Sequence, residues 1–144
     1  MRFRYRLQAL LDDAHERERG AAAEVGLARA EVAAEYVSLA RLDSRAQAVR
    51  AELHAHAAGV GGTLLRAAYF EFELIDAARE RRRVSLAGAE GKLARTQAAL
   101  GAVARERDAL ERHRERKWRR FEDTRALQEA AQFDESNAAR TGFA

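Results

Sequence analysis

The apolar residues of the first helix-forming segment recur at alternating steps of three and four. From Val25 to Leu53 these steps meet only one polar residue, Glu35, and otherwise Val, Leu or Ala. The full series is Val25, Ala28, Val32, Glu35, Leu39, Leu42, Ala46, Val49 and Leu53. This spacing is the heptad pattern of a coiled coil. Upstream, Phe3, Leu7, Leu10 and Ala14 keep the same steps but are offset by one residue, which predicts a stutter before Val25.

Glycines then interrupt the pattern, because three of the four residues at 59–62 are Gly. Each glycine costs a helix interior about 1 kcal/mol relative to alanine, and glycine permits the positive φ angles of a tight reversal. Thr63 is a candidate N-cap for the next helix. The pattern predicts helix one at about residues 3–57, a turn at 58–62, helix two at about 63–136 and a tail at 137–144, within a single domain, 1–144.

The second helix resumes the heptad steps, although arginines occupy several of the positions. Its series is Leu65, Ala68, Phe72, Ile75, Arg79, Arg82, Leu86, Ala89, Leu93, Thr96, Leu100, Val103, Arg107, Leu110, Arg114, Lys117 and Phe121. A short connection makes the helices antiparallel, so that position i pairs with roughly 121 minus i. The predicted fold class is therefore all-α, two long helices forming an antiparallel coiled-coil hairpin. Residues after about Phe121 have no partner on helix one.

Composition agrees with this fold. The chain has no proline, and 34% of its residues are charged against 7% aromatic, as expected of long helices with a narrow line of contacts. The absence of cysteine excludes disulfides and thiolate metal sites and fits a reducing compartment. No apolar run approaches the roughly 20 residues of a membrane-spanning helix, and the basic N-terminus lacks the apolar region of a secretory signal.

No residue pattern supports catalysis. The four histidines, His15, His54, His56 and His113, are scattered, and neither an HExxH motif, a phosphate-binding glycine loop nor a nucleophile elbow is present. We therefore predict that the protein is not an enzyme and has no catalytic, cofactor-binding or metal-binding residues.

The densest charge lies at residues 112–120, which hold six basic residues and one acidic residue. This cluster can be a docking surface for an acidic protein or for phosphate, or a solvated helix flank whose arginines cover the thin apolar seam. Trp118 favours docking, since an aromatic beside arginine is typical of interface anchors. The net acidic stretch that follows argues against a continuous nucleic-acid surface, so no nucleic-acid partner is expected.

A second candidate region follows the turn and is rich in large apolar side chains: Tyr69, Phe70, Phe72, Leu74 and Ile75. Phe72 and Ile75 can face helix one, which favours a plug that packs the tip of the hairpin. Phe70 and Leu74 cannot share that face, and exposed apolar residues suggest a binding patch.

Both ends of the chain resemble the flagellar export protein FliJ family. The opening Phe3-Arg4-Tyr5-Arg6-Leu7-Gln8 with Leu10 and Leu11 resembles the start of that family. Its closing section is matched by Glu115-Arg116-Lys117, Phe121, Glu129, Asp134-Glu135 and Arg140, and the section after the turn by Tyr69 and Phe72. The order, spacing and length together carry the resemblance, which covers the full chain.

The resemblance implies a stalk similar to that of rotary ATPases. Such a protein inserts in the hexameric flagellar export ATPase, promotes its assembly and couples it to the transmembrane export gate protein; export chaperones are further partners. The implied location is cytoplasmic and peripheral on the inner face of the cell membrane, without direct membrane insertion. The hypothetical ATPase-binding residues are Arg4, Arg6, Arg116, Lys117, Trp118, Arg119, Arg120 and Phe121, and the hypothetical gate-binding residues are Tyr69, Phe72 and Ile75.

Two alternatives stay open at the sequence level. One is a passive chaperone or scaffold of type III export, which captures partner helices without acting on the ATPase. The other is the equivalent stalk of a virulence type III secretion system.

Overall fold

The computed structural model describes residues 1–56, 58–59 and 61–142. Within them the chain forms two α-helices, α1 at Gln8–Ala55 and α2 at Gly62–Thr141, and no β-strand. The predicted all-α helical hairpin is confirmed. Ala57, Val60, Phe143 and Ala144 lie outside the described residues, and with them parts of the predicted helix one, turn and tail.

The chain divides into two compact units. The end unit comprises Met1–Gly20 with Gly101–Ala144, and the central unit comprises Ala21–Leu100. In each unit a stretch of α1 runs antiparallel to a stretch of α2. Residues later in α1 contact residues earlier in α2. Glu18 meets Arg107 in the end unit, and Glu31 meets Lys92 in the central unit. The assignment of the chain to a single domain stays a prediction.

The buried residues follow the heptad positions closely. Every member of the series from Val25 to Leu53 is buried or half-buried. In the end unit, however, Leu11 is buried, with 2% of its surface exposed, whereas Leu10 is 54% exposed. The expectation for Leu10 was wrong. Counted through Leu11, steps of four and three run without a break from Leu7 to Val25, so the pattern needs no stutter.

The helix boundaries differ from the predicted ones at three places. Helix α1 begins at Gln8 rather than at about residue 3, and α2 continues to Thr141 rather than ending near 136. Thr63 is not the N-cap of α2, because the Gly61 carbonyl accepts the first helical hydrogen bond, from the Leu65 N–H (3.2 Å). No glycine among the described residues has a positive φ, so Gly59, Gly61 and Gly62 do not use the left-handed conformation.

Charged residues within the seam of the central unit are paired across the helices. Glu35, the polar member of the first series, accepts a hydrogen bond from the Ser85 hydroxyl (2.7 Å) and lies 3.5 Å from the Arg82 guanidinium. Arg79 donates to Asp43 (2.7 Å). These hydrogen bonds raise the pKa of Arg79, chiefly through Asp43. Arginine is therefore compatible with the seam of α2 because α1 supplies a carboxylate opposite it.

Candidate functional site

The N-terminal segment of the end unit lies against α2; it is extended over residues 1–5 and turns at residues 6–7 into α1. In residues 1–7 the side chains alternate: Phe3, Tyr5 and Leu7 are half-buried, whereas Arg2, Arg4 and Arg6 are exposed. A period of two is the signature of extended backbone. The strict basic–apolar alternation of this segment is visible in the sequence, and it is the signal that an interpretation based on helical spacing misses.

Phe3 anchors this segment in an aromatic cluster with Trp118 and Phe121. The Phe3 and Trp118 ring centroids are 5.0 Å apart in an edge-to-face arrangement, and those of Phe3 and Phe121 are 5.5 Å apart. Trp118 and Phe121 are 5.8 Å apart. Such aromatic pairs add about 0.5–1.5 kcal/mol beyond the burial of their area. The predicted proximity of Phe3 and Trp118 is confirmed, although Phe3 reaches Trp118 from an extended segment and not from a helix.

Tyr5 provides the second anchor. Its hydroxyl donates to the Leu110 carbonyl (3.2 Å) and lies 2.9 Å from the His113 Nδ1. Because the hydroxyl has one proton, the bond to His113 is complete when Nδ1 carries a hydrogen and donates it. Phe3 and Tyr5 together fix the segment so that Arg4 and Arg6 stand out beside α2.

Several of the predicted ATPase-binding residues are brought together by this arrangement. A groove of about 450 Å³ is lined by Phe3, Arg4, Tyr5, Arg6, Leu7, His113, Lys117 and Phe121. A second groove, of about 490 Å³, is lined by Phe3, Glu111, Arg114, Glu115 and Trp118. The first groove therefore combines aromatic walls with the basic side chains of Arg4, Arg6 and Lys117. The second combines Phe3 and Trp118 with one arginine and two glutamates.

The other three predicted ATPase-binding residues lie on the same part of α2 but line neither groove. Arg116, Arg119 and Arg120 are exposed, and Arg119 forms an ion pair with Glu115 one helical turn away. We call the exposed Arg4, Arg6, Arg116, Lys117, Arg119 and Arg120 the basic surface. Trp118 is 44% exposed, so it can contact a partner while packing on Phe3.

Ion pairs on the helical part of the end unit hold α1 and α2 in register. The Arg17 guanidinium donates two hydrogen bonds of 2.8 Å to the Glu106 carboxylate, and Arg107 lies 2.6 Å from Glu18. The bonds from Arg17 lower the pKa of Glu106 and, in turn, raise that of Arg17. The hydrogen bond to Glu18 likewise raises the pKa of Arg107.

The lowered pKa of Glu106 predicts a pH-dependent contribution to stability. A carboxyl group whose pKa is depressed in the folded state stabilises that state above its ordinary pKa of 4.5, and the contribution is lost as the pH falls through the lowered value. Glu106→Gln should therefore lower the melting temperature at pH 7, and the difference should shrink as the pH falls below 4.5 and vanish once the pH is below the lowered pKa of Glu106. Thermal melts followed by circular dichroism measure this; an unchanged difference at acid pH would contradict it.

Beyond Phe121, no hydrogen bond or ion pair among the described residues joins α2 to α1. All residues from 123 to 142 are exposed, including Leu127 at 73% and Phe133 at 68%. The segment 122–141 has five acidic residues and two basic ones. We call it the overhang; its surface is acidic, in contrast to the basic surface that precedes it.

The predicted gate-binding residues have unequal access to solvent. Tyr69 is 65% exposed, as are its neighbours Phe70 at 64% and Leu74 at 53%. Phe72 is half-buried, and the Arg50 guanidinium lies 5.9 Å from its ring centroid. Ile75 is only 5% exposed because it packs between the helices. Tyr69 is thus accessible to a partner, and Ile75 is a core residue in this conformation.

A scan of protein families decides what kind of protein carries these features. The family described as "Flagellar FliJ protein" matches residues 3–142, nearly the whole chain. The chain belongs to the flagellar FliJ family. Membership makes it a protein associated with flagellar type III protein export, and the family is a non-enzymatic component of that export. No curated protein and no solved structure gives a significant match in the corresponding searches.

Two further observations apply to this FliJ-family chain. Over residues 1–56, 58–59 and 61–142, no helical stretch combines the length and apolarity needed to cross a bilayer. In the same part of the chain, no three His, Asp or Glu side chains are grouped so that they could hold a metal ion. The features that distinguish the end unit are therefore its aromatic cluster, its basic surface and the overhang.

Proposed function

We propose that this protein is the stalk of the flagellar export ATPase: its end unit inserts in the ATPase hexamer, promotes hexamer assembly and couples it to the export gate. The observation that carries the proposal is the pairing of the aromatic cluster with the basic surface. Aromatic and arginine side chains dominate the energetics of protein interfaces, and both are concentrated around residues 3–6 and 116–121.

The two kinds of residue have different tasks in this proposal. The exposed arginines and Lys117 steer the end unit toward an acidic rim of the ATPase, since complementary charge accelerates encounter. Trp118 and Phe121 then anchor the contact by burying aromatic area. The segment at Phe3 and Tyr5 holds Arg4 and Arg6 beside these anchors, so that little side-chain order has to be gained on binding.

Titration of the full chain into the cognate ATPase tests the proposal. A stalk should shift the ATPase from monomer to hexamer and raise its hydrolysis rate, with saturation at less than one chain per ATPase subunit. Hexamer formation is measured by sedimentation velocity and hydrolysis by phosphate release. The passive scaffold alternative predicts binding with neither effect. Rescue of motility in a flagellar null strain, but not of secretion in a virulence system, separates the flagellar stalk from its virulence equivalent.

We further propose that the tip of the central unit contacts the transmembrane export gate protein through Tyr69, with Phe72 supporting it. Exposed aromatic side chains adjoin each other there, and Phe70 and Leu74 extend the apolar surface. Through this contact the protein would be peripheral at the inner face of the cell membrane. Export chaperones are the remaining proposed partners.

Tyr69→Ala should weaken gate binding by about tenfold, since interface tyrosines of this kind contribute about 1–2 kcal/mol or more. The helical circular-dichroism signal and melting temperature should hardly change, because the side chain is largely exposed. Affinity is measured by calorimetry with the cytoplasmic part of the gate protein. Tyr36→Ala is the matched control, as Tyr36 is an exposed tyrosine of the same unit. Equal binding by both variants would assign Tyr69 no role in the gate contact.

A further inference from the structure

A further groove lies in the central unit, away from every residue proposed above for the ATPase or the gate. It has a volume of about 570 Å³ and is lined by Ser38, Arg41, Leu42, Ala78, Arg81, Arg82 and Ser85. Three of these seven residues are arginines, and none carries a carboxylate. We call it the arginine groove.

The groove exists because small residues interrupt a row of cross-helix ion pairs. Residues seven apart lie on one flank of a coiled coil. On this flank, Lys92 pairs with Glu31 (2.8 Å) at one end, and Arg45 pairs with Glu71 at the other. Between them the flank carries Ser38 on α1, and Ala78 and Ser85 on α2. None of these side chains forms an ion pair across the helices, although the Ser85 hydroxyl reaches the Glu35 carboxylate on α1. The gap they leave is the arginine groove.

The charge at the groove is only partly compensated. Arg41 and Arg81 are exposed, and neither forms an ion pair with any carboxylate of the described residues. Their neighbours differ: Arg79 pairs with Asp43, and Arg83 with Glu80. Arg82 keeps a long contact of 3.5 Å to Glu35. Two guanidinium groups therefore border the groove with no carboxylate partner in the part of the chain that the structure describes.

The serine hydroxyls in the groove have used their protons and can still accept hydrogen bonds. Ser38 donates its proton to the Ala34 carbonyl (3.0 Å), and Ser85 donates its proton to Glu35 (2.7 Å). A hydroxyl has one proton to give but two lone pairs, so both oxygens can accept a further hydrogen bond. A phosphate group offers no N–H to them, whereas a peptide backbone does.

We propose that the arginine groove binds an acidic peptide segment of a partner protein. Arg41 and Arg81 pair with carboxylates of the segment, and the Ser38 and Ser85 hydroxyls accept hydrogen bonds from its backbone N–H groups. Leu42 and Ala78 provide apolar contact for a side chain between the carboxylates.

A binding experiment with a defined probe tests this proposal. The probe is a fluorescent peptide in which four glutamates alternate with leucine and alanine, and its control has glutamine in place of each glutamate. Fluorescence anisotropy with the full-length chain at low salt should show the Glu peptide binding at least about tenfold tighter than the Gln peptide. The difference should decrease at higher ionic strength as the charges are screened.

Two variants separate the groove from general charge. Arg41→Gln with Arg81→Gln should weaken binding about tenfold, whereas Arg29→Gln with Arg95→Gln removes the same charge from exposed arginines of the same unit and should change it less than about twofold. Ala78→Leu fills the groove without altering charge and should also abolish binding. Circular dichroism establishes that each variant keeps its helices, so that a loss of binding is not a loss of fold.

Amide chemical shifts locate the bound peptide. Shifts centred on residues 38–42 and 78–85 support the proposal. Equal loss of binding in the two double variants, or shifts centred on residues 112–120, would overturn it, because the peptide would then recognise net charge or the end unit. Tighter binding of inorganic phosphate or of an RNA oligonucleotide at the groove would also overturn it. None of these results depends on whether the protein stimulates the ATPase, since the groove contains no residue of the end unit.

Discussion

Replacing Arg116, Arg119 and Arg120 by Glu should slow association with the export ATPase by about tenfold or more at low salt. The substitutions reverse half of the basic surface while leaving the aromatic cluster in place. Steering by complementary charge acts on the association rate more than on the contacts formed afterwards, so the dissociation rate should change less. Stopped-flow measurement at two salt concentrations gives both rates.

The size of the effect follows from the exposure of these side chains. None of the three lines a groove or contacts α1, so their reversal leaves the helix pairing intact. Local costs arise at residue 119, where the ion pair with Glu115 becomes a like-charge pair one turn apart, and where residues 119 and 120 come to precede Glu122 and Asp123 by one turn. Each such pair costs about 0.2–0.5 kcal/mol. Helicity should therefore remain close to that of the original chain.

A matched triple variant makes the test specific. Arg29, Arg95 and Arg105 are exposed, and replacing them by Glu gives the same net charge. This control should slow association only slightly. If both triple variants slow association equally, the ATPase senses net charge alone; if neither does at low or moderate salt, the basic surface is a solvated face.

The heptad positions predicted the fold and most of the core because burial in a helix pair depends on local spacing. Val25, Ala28, Ala46 and Val49 are buried as their positions require. The pattern failed at Leu65, which is 43% exposed beside the half-buried Leu64, and at Leu10, where two adjacent leucines made the register ambiguous. The burial of Leu11 resolves it in favour of an unbroken heptad.

The sites were less predictable because they depend on pairs of residues far apart in sequence. The basic cluster and Trp118 are contiguous in the sequence and can be recognised there. The grooves beside them form only when the extended segment at Phe3 and Tyr5 lies on α2. The arginine groove likewise depends on short residues in both helices. Its signal, Ser38 opposite Ala78 and Ser85, becomes readable only once the pairing of the helices is known.

The contrast between Ile75 and Tyr69 has the same origin. Both belong to one stretch of aromatic and aliphatic residues, and composition alone predicts gate binding for both. The helix separates them: Ile75 faces α1, and Tyr69 does not. A hypothesis built on the composition of the stretch therefore included a core residue among its contact residues.

Deleting residues 122–144 should abolish most of the stimulation of ATPase activity while leaving the hairpin folded. The overhang makes no contact with α1, and its hydrogen bonds and ion pairs, such as those of Arg125 with Glu122 and Glu129, lie within α2. Its removal thus takes nothing from the helix interface. Circular dichroism should show a loss of helical signal no larger than the share of residues removed, and little change in melting temperature.

The reason to expect a large functional effect is the exposure of Leu127 and Phe133 on a helix without a partner. A single unpaired helical segment of this length is marginal in water, so its amides should exchange rapidly in the free protein and become protected in the ATPase complex. Binding then orders the overhang and buries its apolar side chains. Hydrogen exchange with and without the ATPase measures this protection.

A shorter deletion, of residues 137–144, is the control for this experiment because it keeps both Leu127 and Phe133. It should retain most of the stimulation. Leu127→Ser with Phe133→Ser, in the full-length chain, should reproduce the effect of the long deletion, since it removes the apolar contacts but not the helix backbone. If the long deletion still stimulates hydrolysis as the full chain does, the ATPase contact excludes the overhang, and the aromatic cluster and basic surface alone make it.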